Sequence, residues 1–550
     1  MKKIFTFISI LLILAIFIGG ICVIKTRPNN NVISFSHELF LVVEDIVIED
    51  GEPVFLEDNE IYFNIDVVKQ YIDPDIFYDE AEEMVIVTDK SRVRRYKVND
   101  NVASVNSKDF LVDNPVIFVG GKVYIPIGIY DDYPIKVDYY PDTNAVVMDY
   151  TDIYYLDGDV ILEGGNIRTD LDKKAPILVK DLEIGTKLNV YGEYEQWYKV
   201  RTVDGILGFI EKKYLRLNHT KDLYKSQLVE RHMYKNRFHK RINLTWDYTY
   251  RKVQNIDNIE PIVGVNIISP TWFSIMDSNG EIMDKGNYEY VKRYNDLGYE
   301  LWPLIDNSFD PGLTHELLKS SVKREELINN ILDIYLNYGF QGINIDFENI
   351  ALKDKDLLTQ FVRELYPLFK EHDMWVTMDV SPISTSENWS RSFDRKRLAE
   401  TTDYLILMAY DQHWAASPIA GSVAQYSWVE KSIKGVLQEI PKDKLILAVP
   451  YYTRLWIIED GKVSSQALSM DTANKFLEEN EINLMWDEES KQYYGEMERN
   501  GKEYKIWVED GESLKYKVSL VNKYDLAGVA SWRKGFETKD IWTSIDKVLD

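Results

Sequence analysis

The chain is almost devoid of cysteine: Cys22 is the only one in 550 residues. That excludes a disulfide framework and any thiolate metal site, and it leaves a chain indifferent to an oxidising exterior. Basic residues are also in deficit. Acids number 90 against 64 lysines and arginines, a formal net charge of −26. Phosphate backbones demand basic patches, so no nucleic-acid partner is expected. The same imbalance argues against a soluble polyanionic substrate. Charge is missing altogether from Ile4 to Ile24, IFTFISILLILAIFIGGICVI, which follows Met1-Lys2-Lys3. That run is long enough to cross a bilayer as a helix, and Lys2 and Lys3 favour a cytoplasmic N-terminus. A single-pass anchor in the cell membrane is expected, with the rest of the chain extracytoplasmic. A cleaved signal sequence, which would release a secreted protein, is the rival reading. No small-x-small site follows the run, and Ile21 is too bulky for lipoprotein processing at Cys22.

Five hundred and fifty residues exceed what one core can organise, so several domains are expected. Residues 1–31 comprise the anchor and the polar linker KTRPNNN. An internal repeat follows. PVFLEDNEIYFNIDVV begins at Pro53 and PVIFVGGKVYIPIGIY at Pro115, an offset of 62 residues that also aligns Tyr62 with Tyr124, Tyr78 with Tyr140 and Val85 with Val147. Each copy reads as strand, strand, short helix, strand. Two copies cannot form a solenoid, so residues 35–152 are expected to make one small α+β duplicated domain. The layout resembles the copper amine oxidase N-terminal-like domain of bacterial envelope proteins. His37 is its single histidine, so no copper and no other metal is expected there. Residues 153–216, with short strands around Gly turns and with Trp197 and Gly208, resemble a bacterial SH3-like domain, a small β-barrel. As a wall-binding module or as a spacer the segment reads equally well. Residues 217–240 are polar and locally basic and read as a linker.

From residue 241 to 550 the pattern becomes strands alternating with helices. Candidate strands are 241–246, 262–268, 300–306, 342–348, 375–381, 404–410, 445–452 and 527–532. Eight β/α units over this length suit a TIM barrel, a (β/α)8 fold. A long interruption over about 457–515, with a hairpin turning at Asn500-Gly501, predicts an α+β insertion between strands 7 and 8.

The chemistry concentrates in GFQGINIDFENI, residues 339–350. Side chains alternate along a strand, so Ile343, Ile345 and Phe347 should face the outer helices while Asn344, Asp346 and Glu348 point into the barrel. Three polar groups there would be costly unless they pair or meet a wet cleft, and Glu348 would emerge at the end where barrel enzymes keep their sites. QGINIDFE resembles the D-G-x-D-x-D-x-E signature of glycoside hydrolase family 18. LMAYD (407–411), VPYYTR (449–454) and GVASWRKGFE (528–537) resemble that family's sixth-, seventh- and eighth-strand motifs, in the right order. NIDFENI, MAYDQHW and SWRKGFE are most similar to the spore cortex fragment-lytic branch, whose members cleave peptidoglycan glycans.

The resemblance implies substrate-assisted retaining catalysis, in which the substrate's own N-acetyl oxygen attacks the anomeric carbon. Glu348 would be the acid and then the base. Asp346 would accept from the acetamido N–H, and Tyr410 would donate to the acetyl oxygen. Trp532 would stack under the sugar, and Asn344, Met408, Asp411, Tyr452 and Arg454 would bind substrate. No cofactor is implied. The reacting sugar must carry a 2-acetamido group, as in peptidoglycan or another N-acetylglucosamine glycan, cleaved at β-1,4 bonds after N-acetylglucosamine. Alternatives are a chitinase or an N-glycan endo-N-acetylglucosaminidase and, in another class, an inactive glycan-binding scaffold. Two signature positions depart from the pattern. Gln341 and Asn344 stand where the family has aspartates. Asn344 could hydrogen-bond Asp346 but could not take its proton. Trp246, Trp272, Trp302 and Trp414 could line the cleft or fill the core, Asp379 could face the cleft or cap a loop, and His413 reads as part of the site wall.

Overall fold

The computed structural model describes residues 28–33, 38–153, 156–218, 241–250, 256 and 259–549. The expected membrane helix over Ile4–Ile24, most of the 217–240 linker and His37 lie outside them. Among the described residues no helix is long and apolar enough to cross a membrane. The chain divides into two compact units. One comprises Met1–Ile76, Lys97–Val102 and Leu111–Met233, and the other comprises Phe77–Tyr96, Ala103–Phe110 and Tyr234–Asp550.

In the first unit the repeat is visible as paired hairpins. Val54–Glu57 pairs with Glu60–Asn64, and Ile117–Val119 pairs with Lys122–Pro126 in the same register, Phe55 opposite Tyr62 as Ile117 is opposite Tyr124. The two hairpins then join through Tyr62–Pro126, Phe63–Ile125 and Asn64–Tyr124. Because Phe63 and Ile125 are the equivalent residues of the two copies, this pairing is two-fold symmetric about them. Beyond the hairpins the copies part. Ile135–Tyr140 and Ala145–Tyr150 of the second copy form a sheet with Phe40–Val43 and Ile46–Ile48. The matching strands of the first, Phe77–Asp79 and Met84–Thr88, enter a five-stranded sheet that clusters with the second unit. The segment from Leu156 to Leu217 folds as one seven-stranded sheet around Val160, Ile167, Leu188, Val200 and Ile210. Gly208 is obligatory there, since a Cβ would lie 2.5 Å from the Arg168 carbonyl oxygen.

The second unit is built on a closed barrel of eight parallel strands. These are β1 (Ile242–Asp247), β2 (Ile267–Ile275), β3 (Leu304–Asp306, preceded by Glu300–Leu301), β4 (Gly342–Asp346), β5 (Trp375–Val380), β6 (Tyr404–Met408), β7 (Leu445–Pro450) and β8 (Gly528–Trp532). Pairing of β1 with both β8 and β2 closes the ring. Seven strands fall where the alternation placed them. The second does not: residues 262–268 were expected, and the strand runs from 267 to 275. The stretch before it is a connection, in which Gly264 adopts φ 75° with its Cα against Asp546, so close that a Cβ would lie 2.6 Å from a carboxylate oxygen. Asn266 spends its side chain on the Asn243 amide and the Arg241 carbonyl.

The insertion also starts earlier than its expected boundary at 457. Its sheet comprises Tyr452–Glu459, Lys462–Ser469, Met485–Asp487, Gln492–Arg499 and Lys502–Val508, with the helix Met470–Glu479 beside it. The turn at Asn500-Gly501 has positive φ at both residues, 54° and 74°, between Arg499 and Lys502, which face each other. That is the geometry a two-residue hairpin needs.

Candidate active site

The barrel interior changes character from bottom to top. Near the start of the strands it is filled by Trp302, Trp375 and Tyr404, whose rings lie 5.8 to 6.4 Å apart. Gly342 makes room for them, because a Cβ there would sit 2.6 Å from the Trp302 ring. Above this floor Ile242, Leu244, Ile406 and Ile446 continue an apolar layer, and the carboxylates rise over it. On β4, Ile343, Ile345 and Phe347 pack outward into the helical core and leave Asn344, Asp346 and Glu348 for the inside, as the alternation requires.

Glu348 is gripped through its backbone. The Asn307 carboxamide, fully buried, accepts from the Glu348 N–H at 3.0 Å and donates to the Glu348 carbonyl at 2.9 Å, and its amide also reaches Thr314. The Glu348 carboxyl is pushed up to about 7 by burial first, then by the carboxylates of Asp411 and Asp306. Asp346 is raised far above the usual carboxylate range by burial, with Glu348, Asp379 and Asp306 adding repulsion. Its Oδ1 is buried without a hydrogen-bond partner. Asp306 ends the neighbouring strand directly opposite Asp346 and is held by the Ser274 hydroxyl and the Ser308 amide, each at 2.8 Å.

Asn344 does not bond Asp346. Its Oδ1 accepts from the Trp246 indole at 2.7 Å, and its Nδ2 donates to Asp379 at 2.8 Å and Thr377 at 3.3 Å. The side chain of this expected substrate-binding residue has no exposed surface. Tyr410, beyond the end of β6, packs against the interior cluster. Burial, then Asp379 and other neighbours, hold its hydroxyl protonated well beyond the ordinary tyrosine range. Met408 closes β6 and is nearly buried. Asp411 has φ 55°, and its carboxylate accepts from the Tyr452 hydroxyl at 2.6 Å and from Arg454 at 3.2 Å. Tyr452 and Arg454 belong to the first strand of the insertion, so this trio ties the insertion to the barrel mouth. Trp532, at the end of β8, stands edge-on to Trp246 and Tyr248.

The other tryptophans divide by position. Trp246, Trp272 and Trp302 are core residues, and Trp414 is exposed. His413 points its Nδ1 at the Ser422 carbonyl, 2.8 Å away. Sequence reasoning passed over Asp306 and Asn307. The signal for Asp306 was available, as the last residue of a barrel strand, but Asn307 works on a backbone that has no sequence signature. Among the described residues no group of three or more His, Cys, Asp or Glu side chains could hold a metal.

Two family models match parts of the chain. Residues 306–536 match the family described as glycosyl hydrolases family 18, and residues 42–148 match the copper amine oxidase N-terminal domain. YdhD of Bacillus subtilis (strain 168), classed as a sporulation-specific glycosylase, is 30% identical over 42% of this chain and 55% of its own length. The cortical fragment-lytic enzyme of the same organism is 23% identical over 44% of this chain and 57% of its own. The chain thus spans about half the length of these two relatives. Among solved structures, the spore cortex-lytic enzyme SleL of Bacillus megaterium QM B1551 superposes with a TM-score of 0.50 at 17% identity, covering 56% of this chain and 75% of that one. A chitinase from Chromobacterium violaceum ATCC 12472 gives 0.50 at 18%, covering 56% and 99%. At these identities the likeness is one of fold.

Proposed function

We propose that this chain, which carries a glycosyl hydrolases family 18 domain, is a glycosidase that cleaves β-1,4 bonds after N-acetylglucosamine in peptidoglycan. The observation that carries the reading is the carboxyl pair at the end of β4: Glu348, poised near neutrality, two residues beyond the buried Asp346 and within the field of Tyr410. Glycosidic cleavage needs a carboxylic acid still protonated at neutral pH to deliver a proton to the leaving oxygen. Glu348 is such a group, raised to about 7 and partly open at the barrel mouth. With no room for both carboxylates to be charged, a second-carboxylate nucleophile is disfavoured and the substrate's own acetamido oxygen takes that role. Asp346 accepts from the acetamido N–H and balances the positive ring that forms. Tyr410, which stays a hydroxyl, donates to the acetyl oxygen. Glu348, now a carboxylate, draws a proton from the incoming water. Trp532 offers an aromatic face to the sugar, and Met408, Asp411, Tyr452 and Arg454 shape and bind around it. Peptidoglycan is favoured over chitin or N-glycans by the similarity to a cortical fragment-lytic enzyme.

The test is release of reducing ends from purified peptidoglycan by the wild type and Glu348→Gln. Loss of general-acid catalysis lowers the rate by about 10²- to 10⁴-fold, and an unchanged rate in the variant would overturn the mechanism. Mass spectrometry of the products decides the bond: N-acetylglucosamine reducing ends support the reading, and muramic-type ends refute it. The same reading places the enzyme outside the cytoplasmic membrane, anchored by Ile4–Ile24. Its presence in the soluble fraction of cells, with those residues intact, would contradict that placement.

A further inference from the structure

Asp379 has no part in the roles above, yet it is among the most buried carboxyls of the barrel, 1% exposed. Its strand, β5, lies beside β4 with Ile345 paired to Met378, so Asp346 and Asp379 follow as neighbours on the interior face. The Asn344 amide joins β4 to β5 by donating to Asp379 Oδ1 at 2.8 Å, and the Trp246 indole occupies the Asn344 oxygen. Asn344 can therefore serve Asp379 as a donor and can serve neither acid as a proton acceptor. Among the described residues no lysine or arginine forms an ion pair with Asp346 or Asp379. Arg454, the arginine of the site, bonds Asp411. The other titratable groups facing this pair are Asp306, Glu348 and Tyr410, none of which can neutralise a carboxylate. Below them the interior is closed by aromatic rings. Two neighbouring carboxyls in such a place cannot both ionise.

We propose that Asp379 is the proton-bearing partner of Asp346, a positioning residue that holds on β5 the carboxylic acid for which Asn344 leaves no place on β4. The inference rests on the glycosidase reading above. In the empty site the pair shares one proton. When the acetamido N–H of the sugar turns towards Asp346, the O–H bond on Asp346 breaks and one forms on Asp379, so the charge of the pair stays the same and Asp346 meets the developing cation as a carboxylate. After hydrolysis the proton returns. Asp379 itself touches no substrate atom.

The experiment compares the full-length wild type, Asp379→Asn, the exchange variant Asn344→Asp/Asp379→Asn and Glu348→Gln on purified peptidoglycan, with melting temperature and pH profile recorded for each. Asp379→Asn keeps an acceptor for the Asn344 amide. It is expected to lower kcat by roughly tenfold to a hundredfold, with KM and melting temperature nearly unchanged and the acid limb of the profile displaced. The exchange variant, which moves the acid back to β4 beside Asp346, is expected to recover most of that loss. Wild-type kcat and profile in Asp379→Asn would overturn the proposal. So would a loss that tracks a lowered melting temperature and is not recovered by the exchange. If Glu348→Gln stays active, the glycosidase mechanism itself falls. If Glu348→Gln is inactive and Asp379→Asn is not, only the role of Asp379 falls.

Discussion

A carboxyl held at about pH 7 by burial and by the charges of Asp411 and Asp306 has consequences for both rate and stability. In its proposed role as the acid, Glu348 must carry its proton when substrate arrives, so kcat/KM should fall as pH rises through about 7. For stability the sign follows from the neutral form being favoured in the folded state. Stability is undiminished below the unfolded value near 4.5 and is lost as pH rises through about 7. Glu348→Gln removes that loss. Its advantage over the wild type in urea unfolding should be larger at pH 8 than at pH 5, by on the order of 1–3 kcal/mol. An equal difference at the two pH values would show that the carboxyl is not strained by its surroundings. Asn307 acts on the same residue from behind. Asn307→Ala leaves the Glu348 N–H and carbonyl without their partners, at a cost of about 1–3 kcal/mol. Activity should fall further than stability does, measured as kcat at a temperature where the variant is still folded.

At the scale of the element, β4 was the most legible part of the chain. A period of two with apolar residues on one parity and polar residues on the other leaves a single way to face a barrel strand. β2 was misplaced for the converse reason. Residues 262–268 are apolar enough to pass for a strand, and only the left-handed turn at Gly264 and its packing on Asp546 move the strand onward. The motif VPYYTR likewise reads as one strand end, yet the barrel strand stops at Pro450, and Tyr452 and Arg454 open the insertion. Gly342 shows how an element depends on what it encloses. Gly342→Ala forces a methyl group against the Trp302 ring and should destabilise the barrel by about 1–3 kcal/mol, read as a lowered unfolding midpoint. An unchanged midpoint would mean that the aromatic floor is free to shift.

At the scale of the whole molecule, the barrel unit recruits chain from far upstream. Ile86 and Val93 join the barrel's helical core. Arg95 reaches Glu364 at 2.7 Å, while Arg324 holds the same carboxylate at 2.8 Å, all three side chains being nearly or fully buried. Ser107, Asn106 and Lys108 add contacts to Glu325 and Glu371 on the flanking helices. Glu364→Gln leaves the Arg324 guanidinium buried without its counter-charge, while Arg95 keeps Glu325 at 3.3 Å; losing the partner of a buried charge costs about 3–5 kcal/mol. Chemical denaturation should show that loss across the barrel and residues 77–110 together, and separate transitions would show that the upstream sheet is an independent passenger.

The barrel, the order of its motifs, the inward placement of Asn344, Asp346 and Glu348, and the repeat with its offset of 62 residues were all legible along the chain. Periodicity and composition are local properties, and these features are written locally. It took the folded chain to show that Asn344 serves Asp379 and not Asp346, that Asp306 and Asn307 lie at the candidate site, and that one arm of the repeat joins the barrel unit. Each of those depends on which strands become neighbours when the sheet closes. Hydrogen-bond partners across strands and the burial that shifts a carboxyl both arise from that closure, and neither has a pattern along the chain.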